Sequence, residues 1–373
     1  MNVMQLVVNT EKNAILHPLQ MVISIVEKKN ILPILSNILV CKNSEKISFL
    51  STDTEVQITT YTAVGYGNSS INIIVAARKF IDILRSLPET EKVTIYIENK
   101  HMLIKSGKSK FTLQTLDAKE YPIMTLNSKY DFEFTLSQKT LKCILNMVYF
   151  SIAQQDIRYY LNGLLLSFQK KNIIAVSSDG HRLTYYQVNI DKKFSSCSDI
   201  IIPRKTVFTL QRLLENKENP VELKISNNQI KIIFSNIEII SKLIDGKFLD
   251  YKYVISNKYE KSFLVNRNKL LRSLQRISII SNDKLKGVRL VIKPNYLKIT
   301  VSSSNREKAS EELEINYNGK DVDIGLNISY LIEILNNLKN ENIIISLSDS
   351  KSSVLISIPE DNNFQYTLMP MRI

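Results

Sequence analysis

The stretch VDIGLNISYLIEILNNL, residues 322–338, combines a short β-rich run with an amphipathic helix, and the chain contains this combination three times. The other copies are INIIVAARKFIDILRSL at 71–87 and DIIIPRKTVFTLQRLL at 199–214. In each copy the apolar residues that follow the β-rich run recur at helical spacing. The equivalent helix positions are Phe80, Val207 and Leu331. Their spacing sets a repeat of about 125 residues. A unit of this length is a whole domain, so we expect three tandem domains.

A second strand and helix unit precedes each of these stretches. It occupies 6–22, 132–148 and 261–277, and its helix has apolar anchors at positions i, i+4 and i+7. The anchors are Ile15, Leu19 and Val22, then Leu141, Leu145 and Val148, then Leu270, Leu274 and Ile277. Each repeat therefore divides into two similar halves of about 60 residues, which suggests approximate internal symmetry.

Alternation of apolar and polar residues marks antiparallel hairpins at 93–104, 221–234, 289–301 and 343–358. Turn residues interrupt the runs near their middles, at Asn99-Lys100, Asn227-Asn228, Pro294-Asn295 and Ser348-Asp349-Ser350. Six short helices, one for each half-repeat, complete the pattern. Paired helices backed by antiparallel sheets are an α+β architecture.

Polar stretches separate the repeats, and they set the domain boundaries that we expect. One lies at Asn127-Ser128-Lys129 and the other at Asn257-Lys258. The expected domains are an N-terminal domain at 1–127, a central domain at 128–255 and a C-terminal domain at 256–373.

Composition limits the class of protein. A chain of 373 residues can bury three cores without a disulfide or a structural metal. Because Cys41, Cys143 and Cys197 have no CxxC spacing, we expect reduced structural thiols in a cytoplasmic protein. No export signal and no apolar run of about 18 residues is evident, so we expect no membrane span. The net charge of +13 points to a polyanionic partner.

Motifs typical of catalysis are weak. Gly107-Lys108-Ser109 resembles the end of a phosphate-binding loop, but Met102 stands where its first glycine should be and the segment reads as a strand. Gly65-Tyr66-Gly67 lacks the last glycine of a dinucleotide fingerprint. None of the three histidines has a neighbour at a zinc-ligand spacing. We therefore expect no catalytic residue, no cofactor and no metal.

The segment 177–182, SSDGHR, places a hydroxyl, a carboxylate and an imidazole side by side. Adjacent residues on a strand or a tight turn point in different directions, so they cannot form the relay of a catalytic triad. The motif alone predicts a turn between two strands.

Basic residues recur at the same half-repeat positions of different repeats. Examples are Arg78 and Lys79, then Arg204 and Lys205. One such helix is usually a solvated face, but equivalent helices of a symmetric assembly can share one surface that holds phosphates without reading bases. The run Arg158-Tyr159-Tyr160 could contact a nucleic-acid backbone or a single strand, and buried tyrosines are an equally good interpretation.

Several segments together resemble the bacterial replicative sliding clamp, the β subunit of DNA polymerase III. They include DIRYYLNGLLL at 156–166, SSDGHRL at 177–183, SKLIDGKFLDY at 241–251 and TLMPMRI at 367–373. The resemblance covers essentially the whole chain in register. It implies three tandem DNA-clamp domains and a head-to-tail homodimeric ring of six domains, with helices lining a central hole and sheets on the rim.

The resemblance also implies the function. Such a ring encircles duplex DNA without sequence preference, tethers the replicative polymerase and confers processivity, without a catalytic site of its own. Its partners would be duplex DNA, a second copy, the polymerase III α subunit, the clamp loader, and other polymerases and repair proteins that dock through short peptide motifs. By resemblance, the residues facing DNA are Lys29, Arg78, Gln155, Tyr159, Tyr160, Arg204 and Lys205.

A peptide-docking groove between domains two and three is the second site that the resemblance implies. Its residues would be Leu161, Ser178, Gly180, His181, Arg182, Leu183, Leu249, Val254, Asn327, Tyr330, Ser353, Met369, Pro370, Met371 and Arg372. Aliphatic walls with a few polar groups suit an anchor-residue pocket. Three positions depart from the usual family residues: Leu249 replaces a proline, Tyr253 an arginine and Lys351 an apolar residue.

Ring closure would pair edge strands of two protomers. We expect a basic strand at 105–113 to meet an acidic strand at 307–314, which Lys308 interrupts. The interface residues would be Lys105, Lys110, Phe111, Leu113, Ile279, Ile280, Glu307 and Glu311. The expected dimer loosens at high salt.

Two other classes of function remain open on the sequence alone. A nucleic-acid enzyme would need clustered acids, and the candidates are the turn residues Asp53, Glu55 and Asp179. A peptide-binding scaffold without a DNA role would be indifferent to charge reversal at Arg204 and Lys205.

Overall fold

The secondary structure repeats with the period of the sequence. The computed structural model describes residues 4–26, 32–125, 130–190, 198–256, 259–281, 286–303 and 307–372. Within these ranges the helices are α1 (Lys12–Val22), α2 (Ala77–Ser86), α3 (Gln138–Val148), α4 (Arg204–Leu213), α5 (Tyr251–Ile255), α6 (Arg267–Ser278) and α7 (Ile328–Asn337). The short α5 is the one described helix that the sequence pattern does not predict.

The strands are equally regular. In the first repeat they are β1 (Gln5–Glu11), β2 (Asn37–Asn43), β3 (Lys46–Thr52), β4 (Val56–Thr62), β5 (Ile71–Ala76), β6 (Lys92–Glu98), β7 (His101–Ser106) and β8 (Ser109–Asp117). In the second they are β9 (Phe132–Ser137), β10 (Gly163–Gln169), β11 (Asn172–Ser178), β12 (Arg182–Asn189), β13 (Ser198–Pro203), β14 (Pro220–Ser226), β15 (Gln229–Phe234) and β16 (Ile237–Lys242). In the third they are β17 (Lys261–Asn266), β18 (Gly287–Lys293), β19 (Tyr296–Ser302), β20 (Lys308–Glu314), β21 (Val322–Asn327), β22 (Asn342–Leu347), β23 (Val354–Ile358) and β24 (Asp361–Leu368).

Each half-repeat supplies four strands, but the halves exchange their opening strands. In the first repeat the strand orders are β1-β6-β7-β8 and β5-β2-β3-β4. The orders β9-β14-β15-β16 and β13-β10-β11-β12 repeat this in the second, and β17-β22-β23-β24 and β21-β18-β19-β20 in the third. The two halves of a repeat are therefore interlocked, which the sequence pattern does not reveal.

Two strand pairs, which we call seams, join these four-stranded sets across repeats. Strand β4 pairs antiparallel with β16, and β12 pairs antiparallel with β24. The first seam completes a 12-stranded sheet and the second completes an 8-stranded sheet, while the set ending in β20 forms a separate 4-stranded sheet. Both seams join the last strand of a first half to the last strand of the next repeat's second half.

The chain divides into two units, and each contains one seam. The first unit comprises Met1–Leu141 and Arg212–Leu243, and the second comprises Lys142–Gln211 and Ile244–Ile373. All helix anchors predicted from the spacing are at most 2% exposed, as are Phe80, Val207 and Leu331. The helical spacing therefore identifies core residues correctly.

Helix α1 of the first unit contains Pro18, and the first seam compensates for it. Proline has no N–H, so the Ala14 carbonyl four residues earlier lacks its helical donor. The Thr62 hydroxyl of β4 donates to that carbonyl at 3.2 Å, and the Thr60 hydroxyl donates to the Pro18 carbonyl at 3.1 Å. The seam strand thus supplies a donor for the Ala14 carbonyl, which Pro18 leaves without its helical partner.

One predicted strand is wrong. The segment 105–113 is a hairpin rather than a continuous strand, because Gly107, with φ +52°, and Lys108 form a turn between β7 and β8. Lys105 pairs with Lys110 across this hairpin. Lys105 consequently lies on β7, one strand inward from β8, and the Gly107 motif is a turn rather than the strand we expected.

Other predictions from the sequence stand as follows. Cys41 and Cys143 are free thiols, and Cys197 lies outside the described residues. The two expected boundary stretches, 127–129 and 257–258, also lie outside the described residues. No helix among the described residues is long and apolar enough to cross a membrane.

Candidate peptide-binding groove and DNA-facing loop

The candidate groove residues gather around the second seam. Strands β12 and β24 pair from Arg182 with Leu368 to Tyr186 with Phe364. Beyond the last pair, the Met369 N–H donates to the His181 carbonyl at 2.8 Å. The Met371 N–H donates to the Gly325 carbonyl at 2.8 Å, which ties the end of the chain to β21. The segment 369–372 is therefore held beside the turn 178–182.

The SSDGHR segment is a tight turn, as its spacing predicts. The Asp179 carboxylate accepts backbone N–H groups from His181 at 3.0 Å and Arg182 at 3.1 Å. Ser178 donates its hydroxyl to the Arg182 carbonyl at 2.7 Å and accepts the Gly180 N–H at 3.1 Å. Because these groups are occupied in building the turn, they act as a structural element of the groove edge.

Arg182 is a buried cation at the centre of the site. Its guanidinium donates to Asp179 at 3.0 Å, to Glu333 of α7 at 2.6 Å and to the Phe150 carbonyl at 2.5 Å. It also lies 4.1 Å from the centre of the Tyr330 ring. Burial alone would lower the pKa of Arg182, but Tyr366, Glu333 and Asp179 raise it above its usual value. Arg182 thus links the turn 178–182 to α7 and to the backbone at Phe150.

An apolar cluster forms one wall. Leu161 and Leu183 are buried in it, and Leu249 and Val254 pack against it while remaining partly accessible. Phe248 and Tyr251 fill the space behind them. A pocket wall of this kind accepts aliphatic or aromatic anchors.

The third repeat supplies the remaining residues of the candidate groove. Asn327 caps α7 by accepting the N–H groups of Ser329 and Tyr330 at 2.9 and 3.3 Å. Ser353 is buried and lies 3.2 Å from the Tyr259 hydroxyl. Met369 is 43% exposed, Arg372 is exposed, and Pro370 and Met371 are half-buried.

Two of the unusual residues are open to solvent. Tyr253 is 78% exposed and Lys351 is exposed, whereas Leu249 belongs to the apolar wall. Substitutions at Tyr253 and Lys351 therefore change the chemistry of the exposed surface more than the fold.

The expected DNA-facing residues fall into separate groups. Gln155, Tyr159 and Tyr160 share the loop 153–162, where Gln155 has φ +56° and Tyr159 is 59% exposed. Arg204 lies beside that loop, because its guanidinium donates to the Ile152 carbonyl at 2.5 Å. Burial lowers the pKa of Arg204. Lys205 follows it on α4 and is half-buried.

Arg78 belongs to the first unit, where it donates to the Val26 carbonyl at 3.3 Å. Lys29 lies outside the described residues.

The expected interface residues lie on β7, on β8, directly after α6, and on or just before β20. Lys110, Phe111 and Leu113 are on β8, and Ile279 and Ile280 follow α6, with Ile279 82% exposed. Glu311 on β20 accepts two bonds of 2.7 Å from Arg276, which lower its pKa. Glu307 accepts a hydrogen bond of 3.0 Å from Ser303. Part of the acidic charge of β20 is thus already paired within the protomer.

Two of the acids that an enzyme would need, Asp53 and Asp179, are each engaged in building a turn. Asp53 accepts the backbone N–H groups of Glu55 and Val56, as Asp179 does in its own turn. Among the described residues there is no group of three or more His, Cys, Asp or Glu side chains that could hold a metal.

Sequence reasoning missed Glu333, the Arg182 partner on α7. No local pattern reveals it, because 151 residues separate the two side chains along the chain. The only sequence signal is that Glu333 is the one charged residue of this helix.

Comparisons with known proteins identify the fold. Family models of the DNA polymerase III beta subunit match the chain three times: the N-terminal domain at 4–125, the central domain at 135–250 and the C-terminal domain at 252–372. The beta sliding clamp of Escherichia coli K12 is 37% identical over 363 residues, covering 97% of this chain and 99% of the relative. That of Haemophilus influenzae is 36% identical over 360 residues, covering 96% and 98%.

Solved structures agree. A DNA polymerase sliding clamp from Pseudomonas aeruginosa superposes with a TM-score of 0.94 at 34% identity, covering 99% of this chain and 100% of the other. A clamp from the same organism bound to griselimycin gives the same TM-score, identity and coverage.

The three domain matches and the whole-chain identities establish that the chain belongs to the DNA polymerase III beta subunits, the beta sliding clamps. The protein is accordingly a processivity subunit of DNA replication that holds the polymerase on DNA and has no catalytic activity of its own. The expected α+β fold of three tandem clamp domains is confirmed.

Proposed function

We propose that two copies of this chain close head to tail into a ring around duplex DNA. The supporting observation is the pairing rule of the seams. Each seam joins the last strand of a first half to the last strand of the following repeat's second half, as in β4 with β16 and β12 with β24. The same rule leaves β20 and β8 to be matched, and β8 of a second copy would fit the rule as the partner of β20.

Both strands are suited to this pairing. Strand β20 is the outermost strand of the described 4-stranded sheet, and residues 109–114 of β8 pair with β7 alone, since β5 reaches only 115–117. Lys110 on β8 and the glutamates of β20 have opposite charges. Edge strands that pair with a partner are also protected from aggregation.

Light scattering tests the ring directly. The expected mass at low salt is twice the 42.9 kDa of one chain, falling towards one chain mass at high salt as the ionic part of the interface is screened. A monomer at every salt concentration would contradict the proposal.

We propose that the loop 153–162, Arg204 and Lys205 contact DNA phosphates without reading bases. Lys29 and Arg78 are the corresponding proposals in the first repeat. Dispersed cations attract DNA while leaving it free to slide, because no single contact is strong enough to stop movement.

We propose that the groove at the second seam takes short apolar peptide motifs of the polymerase α subunit, the clamp loader, and other polymerases and repair proteins. Its apolar wall and the partly exposed Met369 support this role.

Because related clamps have been solved with griselimycin, we propose that this groove binds that compound as well. Calorimetric titration with griselimycin tests this; heat of binding that Leu183→Asp does not diminish would contradict it.

We propose that the protein acts in the cytoplasm, where replication proceeds and where its free thiols would remain reduced.

A further inference from the structure

The loop 153–162 is braced internally. The Ala153 N–H donates to the Leu161 carbonyl at 3.0 Å, and the Leu161 N–H donates to the Arg158 carbonyl at 2.8 Å. Asn162 accepts the Asp156 N–H at 2.9 Å and donates its amide to the Asp156 carbonyl at 2.8 Å. These bonds fix the direction in which the side chains of 158–160 leave the loop.

Arg158 leaves the loop towards the turn that forms the groove edge. Its guanidinium donates to the Asp156 carboxylate at 3.0 and 2.9 Å, and to the Asp179 carbonyl at 3.4 Å. It lies directly over Gly180, where an added Cβ would be 2.5 Å from Nη2. Arg158 therefore occupies the space that a side chain at position 180 would take.

The pairing with Asp156 gives Arg158 a fixed orientation. Two charge-assisted bonds in a planar arrangement restrict a guanidinium more than a single contact does. Asp156 itself is anchored, because its carboxylate also accepts the Arg158 N–H at 2.8 Å and its own N–H is bound by Asn162.

The same loop contacts the other side of the apolar wall. Gly246 has φ +117°, and an added Cβ would lie 3.2 Å from the Tyr159 hydroxyl. The Tyr160 ring meets Phe248 edge-on, with centroids 6.3 Å apart. Two segments that border the wall, at 180 and at 246–248, thus rest against consecutive residues of one loop.

We infer that Arg158 is a positioning residue of the groove, which holds the Gly180–Leu183 edge against the Leu161 wall. The inference rests on the proposed peptide-binding function of the groove. Arg158 acts through Gly180 and Asp179 and need not contact the ligand. When it is removed, the turn keeps its own Asp179 bonds but loses the support above Gly180, so the edge samples positions in which the pocket is less well formed.

Calorimetric titration with griselimycin, together with hydrogen exchange of the free protein, tests the inference. Arg158→Ala is expected to weaken griselimycin binding about tenfold, since a small misplacement of a pocket edge lowers affinity strongly. The backbone N–H groups of Gly180 and His181 are expected to exchange faster, also by about tenfold. Arg85→Ala, which removes an exposed ion-paired arginine of the first unit, is the matched control and should change neither quantity.

A double-mutant cycle separates positioning from general destabilisation. Gly180 has φ +87°, at which alanine is strained, and the added Cβ would also meet the Arg158 guanidinium. Gly180→Ala should therefore weaken griselimycin binding, and the double variant with Arg158→Ala should be no weaker than Gly180→Ala alone. If the two effects multiply, or if Arg158→Ala leaves both affinity and exchange unchanged, the inference is wrong.

The outcomes distinguish the inference from the function on which it rests. If the native protein fails to bind griselimycin, the proposed groove function is contradicted, and the exchange of Gly180 and His181 in Arg158→Ala still decides whether Arg158 holds the edge. If the native protein binds griselimycin and Arg158→Ala binds equally well, only the inference is overturned.

Discussion

The two seams use the same backbone pairing but differ in what surrounds them. At the first seam, the contacts at the end of the strand pair are neutral: Tyr61 donates its N–H to the Asn236 carbonyl at 3.0 Å, and Asn236 donates its amide to the Tyr61 carbonyl at 2.8 Å. The ion pair beside this seam, Lys231 of β15 with Glu238 of β16, is less deeply buried than the contacts of Arg182 at the second seam. At the second seam, the flanking residue is Arg182, a buried cation held by two carboxylates. Equivalent strands in a repeated fold have therefore acquired different neighbours.

The contrast between the seams indicates which parts of a repeated fold form the proposed binding site. Strand pairing alone does not create the groove, because both seams have it. At the second seam, the Asp179 turn, the Arg182 support and the terminal segment 369–372 surround a partly open apolar wall. The proposed binding site thus depends on the turn at Asp179 and on the terminal segment, while the paired strands provide a backbone arrangement common to both seams.

The largest expected effect concerns the third pairing, between β20 and β8 of two copies. Ile279→Asp combined with Ile280→Asp places two charges in the apolar centre of the proposed interface, and should raise the dimer dissociation constant at least about 100-fold. Light scattering at micromolar concentration should then give the mass of one chain.

Ile157→Asp is the control for this variant, because Ile157 is 96% exposed and lies in the loop 153–162, outside the proposed interface. Dissociation of the Ile157 variant, or a stable dimer of the Ile279 and Ile280 variant, would contradict the proposed pairing.

The next effect compares charge at the two seams. Arg182→Met removes a buried cation and leaves Asp179 and Glu333 without their partner, so we expect the free energy of unfolding to fall by about 3 kcal/mol. Lys231→Met removes the partner of Glu238 beside the first seam, 3.0 Å away and less deeply buried, and should cost about 1 kcal/mol. Chemical unfolding followed by circular dichroism measures both. Equal losses would show that the buried cation does not distinguish the seams.

A smaller effect concerns the cations beside the second seam. Arg204→Ala with Lys205→Ala should weaken binding to a fluorescein-labelled 20-base-pair duplex about tenfold, and lower the slope of log K against log salt by about 2. Fluorescence anisotropy measures both quantities. Lys170→Ala with Lys171→Ala, on the β10–β11 turn, is the matched control and should leave the slope unchanged. An unchanged slope in the Arg204 and Lys205 variant would favour a peptide-binding scaffold without a DNA role.

The smallest effect concerns the hydrogen bond between Thr62 of the first seam and helix α1. Thr62→Val removes the donor to the Ala14 carbonyl and should cost about 1 kcal/mol of unfolding free energy. In a Pro18→Ala background the helix supplies its own N–H, so the same substitution should cost much less. Identical costs in both backgrounds would show that Thr62 does not compensate for Pro18.

The sequence predicts those parts of the fold that depend on local periodicity. The buried anchors from Ile15 to Ile277, the turns at Asn99-Lys100 and Asn227-Asn228, and the turn at SSDGHR all follow from spacing and turn chemistry. The hairpin at Gly107 was missed because Ser106, Gly107 and Lys108 do not interrupt the polar and basic character of 105–110. Turn formation there depends on the φ of one glycine.

Long-range features could not be predicted from the pattern. The exchange of opening strands between halves, the Arg182 contact with Glu333 and the placement of Arg158 over Gly180 all join residues distant in sequence. Periodicity indicates which face of an element is buried, but it does not say which element covers that face. The groove residues themselves came from resemblance to the clamp family, and their contacts came from the structure.

Retention on circular DNA tests the ring most directly. The protein is loaded by its cognate clamp loader onto nicked circular DNA, washed at elevated salt, and the circle is then cut once. A closed ring should stay on the intact circle and leave the linear product, because it is held by topology while salt weakens phosphate contacts. Equal retention before and after cutting would show that direct contacts hold the protein, and would contradict the ring.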